Sequence, residues 1–126
     1  MIRVLVVDDH PVLRAGLEAV LRAEPGFVPV GGAADGVQLR DLLSRTEPHV
    51  VVLDRYLDEE DGLELCRGLR AEAGAPEVVL YTSSTDPDLE GAARAAGAYA
   101  VVEKGADVDQ LFDAIRLAAR AGRAVA

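Results

Sequence analysis

The chain has 126 residues, with 13 Lys and Arg against 22 Asp and Glu, and a formal charge of −9. That length suits one domain with a single sizeable core, and the acidic balance argues against direct binding to nucleic acid, whose affinity comes from Lys and Arg neutralising phosphates. Half of the residues are hydrophobic but only 4% are aromatic, so Val, Leu and Ala must build the core, while the single cysteine, Cys66, excludes an internal disulfide and no apolar run approaches the roughly 20 residues that cross a bilayer.

Apolar runs of strand length alternate with segments of helical period, the pattern of a parallel sheet covered on both faces. The first strand, near Ile2 to Val7, ends in Asp8 and Asp9. Two adjacent carboxylates resist joint ionisation unless something positive sits between them, so the pair points to a metal ion or a Lys nearby. Helix capping explains the same residues equally well, because Pro11 suits the first position of a helix. That helix is expected over Pro11 to Ala23, with Leu13, Leu17, Val20 and Leu21 at helical spacing as its core face. A strand near Val28 to Gly32 and a helix near Gly36 to Arg45 follow.

The third strand, Val50 to Leu53, again ends in a carboxylate, Asp54. In an open parallel sheet the ligand crevice lies outside the carboxyl ends of the strands, so acids ending separate strands can converge on one site. Three carboxylates with oxygen-only chemistry favour Mg2+, and no thiolate or His cluster competes for a softer metal. The stretch Asp58 to Asp61 reads as a solvated acidic loop with one or two members near the metal. A helix near Gly62 to Ala73 carries Cys66 on its apolar face, where a packed thiol is expected.

The fourth strand, Val78 to Tyr81, runs into the hydroxyls of Thr82-Ser83-Ser84-Thr85, and after a helix near Asp86 to Ala96 the fifth strand, Ala100 to Val102, runs through Glu103 into Lys104. Acids, a hydroxyl and an ammonium at one sheet edge suit a phosphoryl group. A carboxylate can form an aspartyl-phosphate, and the cations and hydroxyl can neutralise the transferring oxygens. The last helix, near Val108 to Ala121, turns Val108, Leu111, Ile115 and Ala118 inward. Its Arg116, Arg120 and Arg123 read as a solvated face that complements the helix dipole. His10 stands within reach of the acidic pair and also suits a helix entry; His49 shows no specific signal.

On these motifs the chain resembles the receiver domain of two-component response regulators over essentially its whole length. The run Val6-Val7-Asp8-Asp9-His10-Pro11-Val12-Leu13-Arg14-Ala15-Gly16-Leu17, with Asp113-Ala114-Ile115-Arg116, resembles the NarL/FixJ branch. The resemblance implies a flavodoxin-like, doubly wound α/β fold, (βα)5, with strand order 2-1-3-4-5 across residues 1–126. It implies Asp54 as phosphoacceptor, Asp8 and Asp9 with Asp54 and the backbone carbonyl of Tyr56 around Mg2+, and Thr82 and Lys104 on the phosphate. It further implies a sensor histidine kinase as partner, a homodimer as one assembly, a cytoplasmic location, and DNA contact only through an output domain that lies outside this chain. The chain is expected to be a signalling domain and not an enzyme beyond its own phosphorylation and dephosphorylation.

Three departures from the family pattern bear on mechanism. Asp58 stands where the loop commonly has proline, which makes the loop more acidic and less constrained. Val101 stands where many members carry an aromatic switch residue, with Tyr99 nearby as a partial substitute. Tyr56 is bulky beside the expected phosphate and shields it from water. These departures keep a second reading open, a phosphate-independent interaction module. A haloacid-dehalogenase-like phosphatase needs a second Asp two residues after its nucleophile, and that position holds Tyr56 after Asp54 and His10 after Asp8.

Overall fold

In the computed structural model, which describes residues 1–83 and 86–125, the order is β1 (Ile2–Val7), α1 (Pro11–Ala23), β2 (Phe27–Ala33), α2 (Gly36–Thr46), β3 (Val50–Leu53), β4 (Tyr56–Leu57), β5 (Glu60–Asp61), α3 (Gly62–Arg70), β6 (Glu77–Thr82), α4 (Leu89–Ala95), β7 (Ala100–Glu103) and α5 (Val108–Val125). Five strands form one parallel sheet in the order β2-β1-β3-β6-β7. Counting sheet strands alone, this is the expected 2-1-3-4-5 order. Ser84 and Thr85, the end of the hydroxyl run, lie outside the described residues.

Strand alternation divides the core. Leu5, Val7, Val51, Leu53, Val78 and Leu80 face α2, α3 and α4, where they meet Leu39, Leu63, Cys66, Leu69, Leu89 and Ala93. Val4, Val6, Val50, Val52 and Val79 face α1 and α5, where they meet Leu21, Leu111, Phe112, Ile115 and Ala118, together with Phe27 of β2. Each fully buried Leu or Val contributes about 2 kcal/mol of transfer free energy, so both faces of the central strands anchor them. The strand ends are thereby held in register.

Two expectations need correcting. The stripe on α1 is only partly core: Leu21 is fully buried, but Leu13 is 54% and Val20 41% exposed, with Val12 at 84%. Leu21 and the partly buried Leu17 anchor the helix, and an apolar strip is left in solvent. The acidic segment after Asp54 is also more constrained than its lost proline implies. It forms an antiparallel hairpin that pairs Tyr56 with Asp61 and Leu57 with Glu60. Glu60 accepts a bond from the Gly36 amide at 2.8 Å, and Asp61 caps α3 by accepting from the Leu63 amide at 2.9 Å. Among the four acids, Asp58, Glu59 and Asp61 are exposed and only Glu60 is half-buried.

The hairpin returns tightly because Gly62 follows it. The Gly62 amide donates to the Arg55 carbonyl at 2.6 Å, and a Cβ at this position would collide with the Asp54 carbonyl and with Arg55. Cys66 is buried as expected, with its thiol pushed up to about 11 by burial.

Candidate functional site

Backbone bonds place the strand ends first. The Asp8 amide donates to the Ala33 carbonyl at 3.0 Å, the Asp54 amide to the Val7 carbonyl at 3.1 Å, and the Lys104 amide to the Thr82 carbonyl at 2.9 Å. Four strand ends therefore meet at one edge. Asp8, Asp54 and Thr82 are 6%, 7% and 1% exposed, well below what isolated Asp and Thr residues tolerate without partners.

The partners converge on Lys104. Its Nζ donates to Asp8 Oδ2 and to Asp54 Oδ2, both at 2.8 Å. Burial by itself would lower the lysine, but the hydrogen bonds and charges of Asp54 and Asp8 outweigh it and hold the ammonium above the usual lysine range. Asp8 is the mirror case. Burial favours its protonated form, yet bonds from Lys104 and from the backbone and ring of His10 keep the carboxyl below the usual range.

His10 occupies the N-cap position of α1 without a capping side-chain bond, so neither Asp8 nor Asp9 caps that helix. The His10 amide instead donates to Asp8 Oδ1 at 2.9 Å, and its Nδ1 lies 3.0 Å from Asp8 Oδ1 and 3.0 Å from Asp9 Oδ1. Only the contact with Asp8 has hydrogen-bond geometry; Asp9 Oδ1 is buried without a hydrogen bond. Ligand atoms of Asp8, Asp9, His10 and Asp54 fall within 4.8 Å of one another.

Two carboxylates thus share one ammonium, and the third, Asp9, keeps an oxygen buried without a hydrogen bond. Like charges this close repel by about 1 kcal/mol per pair even in water and by more when buried. A hard divalent cation fits both the charge and the oxygen donors. The Tyr56 amide lies 3.3 Å from Asp54 Oδ1, which draws the start of the hairpin against the same carboxylate. The Tyr56 ring is exposed, with the Arg55 guanidinium 5.1 Å from its centroid.

Two features near the site carried no sequence signal. Arg14 Nη1 donates to the Asp8 carbonyl at 2.7 Å, a contact visible only once α1 is laid across the strand ends. A groove of about 360 Å³, lined by Val12, Leu13, Gly16, Leu17, Val20 and Val108, opens onto Tyr81, Asp8 and Lys104. The exposed strip of α1 is therefore one wall of a path to the carboxylates. Val101 is partly buried against the α2–α4 core and Tyr99 against the α1–α5 core. Among the described residues no helix is long and apolar enough to cross a membrane.

Residues 4–116 match the family described as response regulator receiver domain. The chain is 34% identical over 120 residues to the transcriptional regulatory protein LiaR of Bacillus subtilis, covering 95% of this chain and 57% of that one. It is 38% identical over 104 residues to a protein-glutamate methylesterase/protein-glutamine glutaminase of Myxococcus xanthus, covering 82% of this chain and 30% of that protein. Among solved structures, a LuxR-family two-component response regulator from Aurantimonas superposes with a TM-score of 0.87 at 32% identity, over 94% of this chain and 85% of that one. The chain spans about half the length of LiaR and a third of the methylesterase.

Proposed function

Because the chain belongs to the response regulator receiver domain family, we propose that Asp54 is its phosphoacceptor and that a sensor histidine kinase supplies the phosphoryl group. The observation that carries the reading is Lys104 Nζ, held 2.8 Å from both Asp8 and Asp54. A carboxylate oxygen of Asp54 attacks phosphorus, the bond from phosphorus to the kinase imidazole breaks, and the imidazole leaves with its electron pair and takes up a proton. An aspartyl-phosphate remains.

Asp8, Asp9, Asp54 and the Tyr56 carbonyl would hold Mg2+. The ion, when bound, neutralises charge on the transferring oxygens. Lys104 exchanges its bond to Asp54 for one to the new phosphate, and the Thr82 hydroxyl donates to another phosphate oxygen. These contacts exist in only one of two conformations, so phosphorylation shifts the population and changes the surface offered to partners. Tyr56, whose amide lies beside Asp54, would shield the phosphate and slow its hydrolysis.

The groove along α1 supports docking of an apolar kinase helix, since it leads to Asp8 and Lys104. In this reading the domain works in the cytoplasm, acts on no other substrate, and can pair with a second copy. By analogy with LiaR it governs transcription through a DNA-binding domain elsewhere in the protein.

Intact mass after incubation with acetyl phosphate is the test. One phosphoryl group gained only with Mg2+, and lost in Asp54→Asn, supports the assignment. No gain in the parent chain favours the phosphate-independent module, for which the partly buried Val101 at the aromatic switch position speaks. Turnover of a generic phosphomonoester would revive the phosphatase reading.

A further inference from the structure

We propose that Arg14 is a positioning residue for the cation-binding carboxylates, and that Gly32 is the seat that lets it reach them. The inference rests on the phosphoacceptor reading for its consequence, though its geometry stands apart from it. Asp8 is held on every side: its amide by the Ala33 carbonyl, Oδ1 by His10 and Oδ2 by Lys104. Asp9 is different. Its Oδ1 is buried without a hydrogen bond, and the nearby His10 ring lacks the geometry to aim it.

What fixes the Asp9 carboxylate is the peptide plane that precedes it. The carbonyl of that plane belongs to Asp8, and Arg14 Nη1 holds it at 2.7 Å. A charged donor on a carbonyl is among the stronger and shorter hydrogen bonds. It reaches across from the first turns of α1 to the end of β1, so it ties the strand end to the helix. Turning that peptide would swing Asp9 away from Asp8 and Asp54 and open the donor set.

The second observation is the floor beneath Arg14. A Cβ on Gly32 would lie 2.8 Å from Arg14 Cδ and 3.1 Å from its Nε, and would press on Glu18 Oε1 as well. The Glu18 carboxylate can turn outward. Arg14 Cδ cannot yield so easily, because it is mid-chain and its guanidinium is held. Gly32 has no positive backbone angle to account for it. Space for this arm is what the missing side chain supplies.

Outer groups that orient metal ligands are worth about 10- to 100-fold in metal affinity when removed. The experiment is Mg2+ titration of the whole chain, followed by calorimetry and by the amide resonances of Asp8, Asp9 and His10, with acetyl phosphate loading measured in parallel. Arg14→Gln is expected to raise the half-saturating Mg2+ about tenfold, Arg14→Lys to recover part of the loss, and Gly32→Ala to weaken binding like Arg14→Gln. The double variant should be no worse than the worse single one, because both act through one contact. Thermal unfolding identifies the folded variants; if Arg14→Gln does not fold, Arg14→Lys and Gly32→Ala carry the comparison. Unchanged Mg2+ binding in a folded Arg14→Gln, or additive losses in the double variant, overturns the proposal, as does an unmodified chain that binds no Mg2+. An unmodified chain that binds Mg2+ but takes no phosphoryl group overturns the phosphoacceptor reading and leaves Arg14 to be judged by the titration.

Discussion

The two ends of the β1–β3 pair are each bridged by titratable side chains, and the bridges differ in what they leave over. At the amino end the His49 amide donates to the Arg3 carbonyl at 2.9 Å, while the Arg3 amide donates to His49 Nδ1 at 2.9 Å and Arg3 Nε to the Glu47 carbonyl at 2.9 Å. A cleft of about 530 Å³ opens there, and its Arg40 is paired with Glu72 at 2.8 Å. At the carboxyl end Asp8 and Asp54 share Lys104, and beside them Asp9 Oδ1 has no hydrogen bond. The carboxyl end opens into clefts of about 360 and 500 Å³, so volume does not tell the two ends apart. What separates them is the uncompensated charge at the carboxyl end.

Removing Lys104 should break this contrast most severely. Lys104→Met is expected to slow acetyl phosphate loading by about 100-fold, the usual loss for one preorganised donor, and to leave Asp8 and Asp54 repelling each other. The same change should cost about 3 kcal/mol of stability at neutral pH, as breaking a buried pair does, and added Mg2+ should restore part of it. Urea unfolding with and without the ion measures this. A stability that ignores Mg2+ would remove the cation from the account.

The amino end should answer in stability alone. His49→Leu deprives the Arg3 amide of its acceptor and is expected to cost about 1 kcal/mol while acetyl phosphate loading stays at the parent rate. A matching loss of loading would mean that the two ends are coupled.

The ends should also separate by pH. Burial first, then the charges of Arg3, Arg123 and the amino terminus, push His49 below its ordinary 6.5. The unfolded chain therefore takes up the proton before the folded one. His49's contribution is complete above pH 6.5 and is lost as pH falls through 6.5 toward the folded value. The stability difference between the parent chain and His49→Leu should shrink between pH 7.5 and 5.5. At the carboxyl end the signs place the losses elsewhere: the raised Lys104 contributes until the solution turns strongly alkaline, and the lowered Asp8 until pH falls below 3.8.

The smallest expected effect lies on the hairpin. Tyr56→Ala should shorten the phosphate lifetime a few-fold, read as the decay of phosphorylated mass, without changing the loading rate. An unchanged lifetime would end the shielding role of that ring.

Much of this architecture is legible in the sequence. β1, β3 and α1 have the expected boundaries because four-residue apolar runs and a Pro at the first helical turn are strong local signals. The helix expected from Asp86 instead begins at Leu89. Asp86 first makes a turn of its own, accepting from the Asp88 amide with its side chain and from the Leu89 amide with its carbonyl. The hairpin went unread because two-residue strands are too short to show a period. The stripe on α1 misled because spacing shows that apolar residues share a face but not how far the sheet extends beneath it.

The sequence by itself determined the alternation, the strand ends that carry Asp8, Asp9, Asp54, Thr82 and Lys104, and the family they resemble, since all of these depend on neighbours within a few residues. Only the tertiary structure decided that Lys104 bridges Asp8 and Asp54, that Asp9 Oδ1 is buried without a hydrogen bond, and that Arg14 secures the peptide between the two acids. Those contacts span up to 96 residues of chain. They are set by how strands stack in register and how a helix lies across them, and no local pattern in the chain encodes that distance.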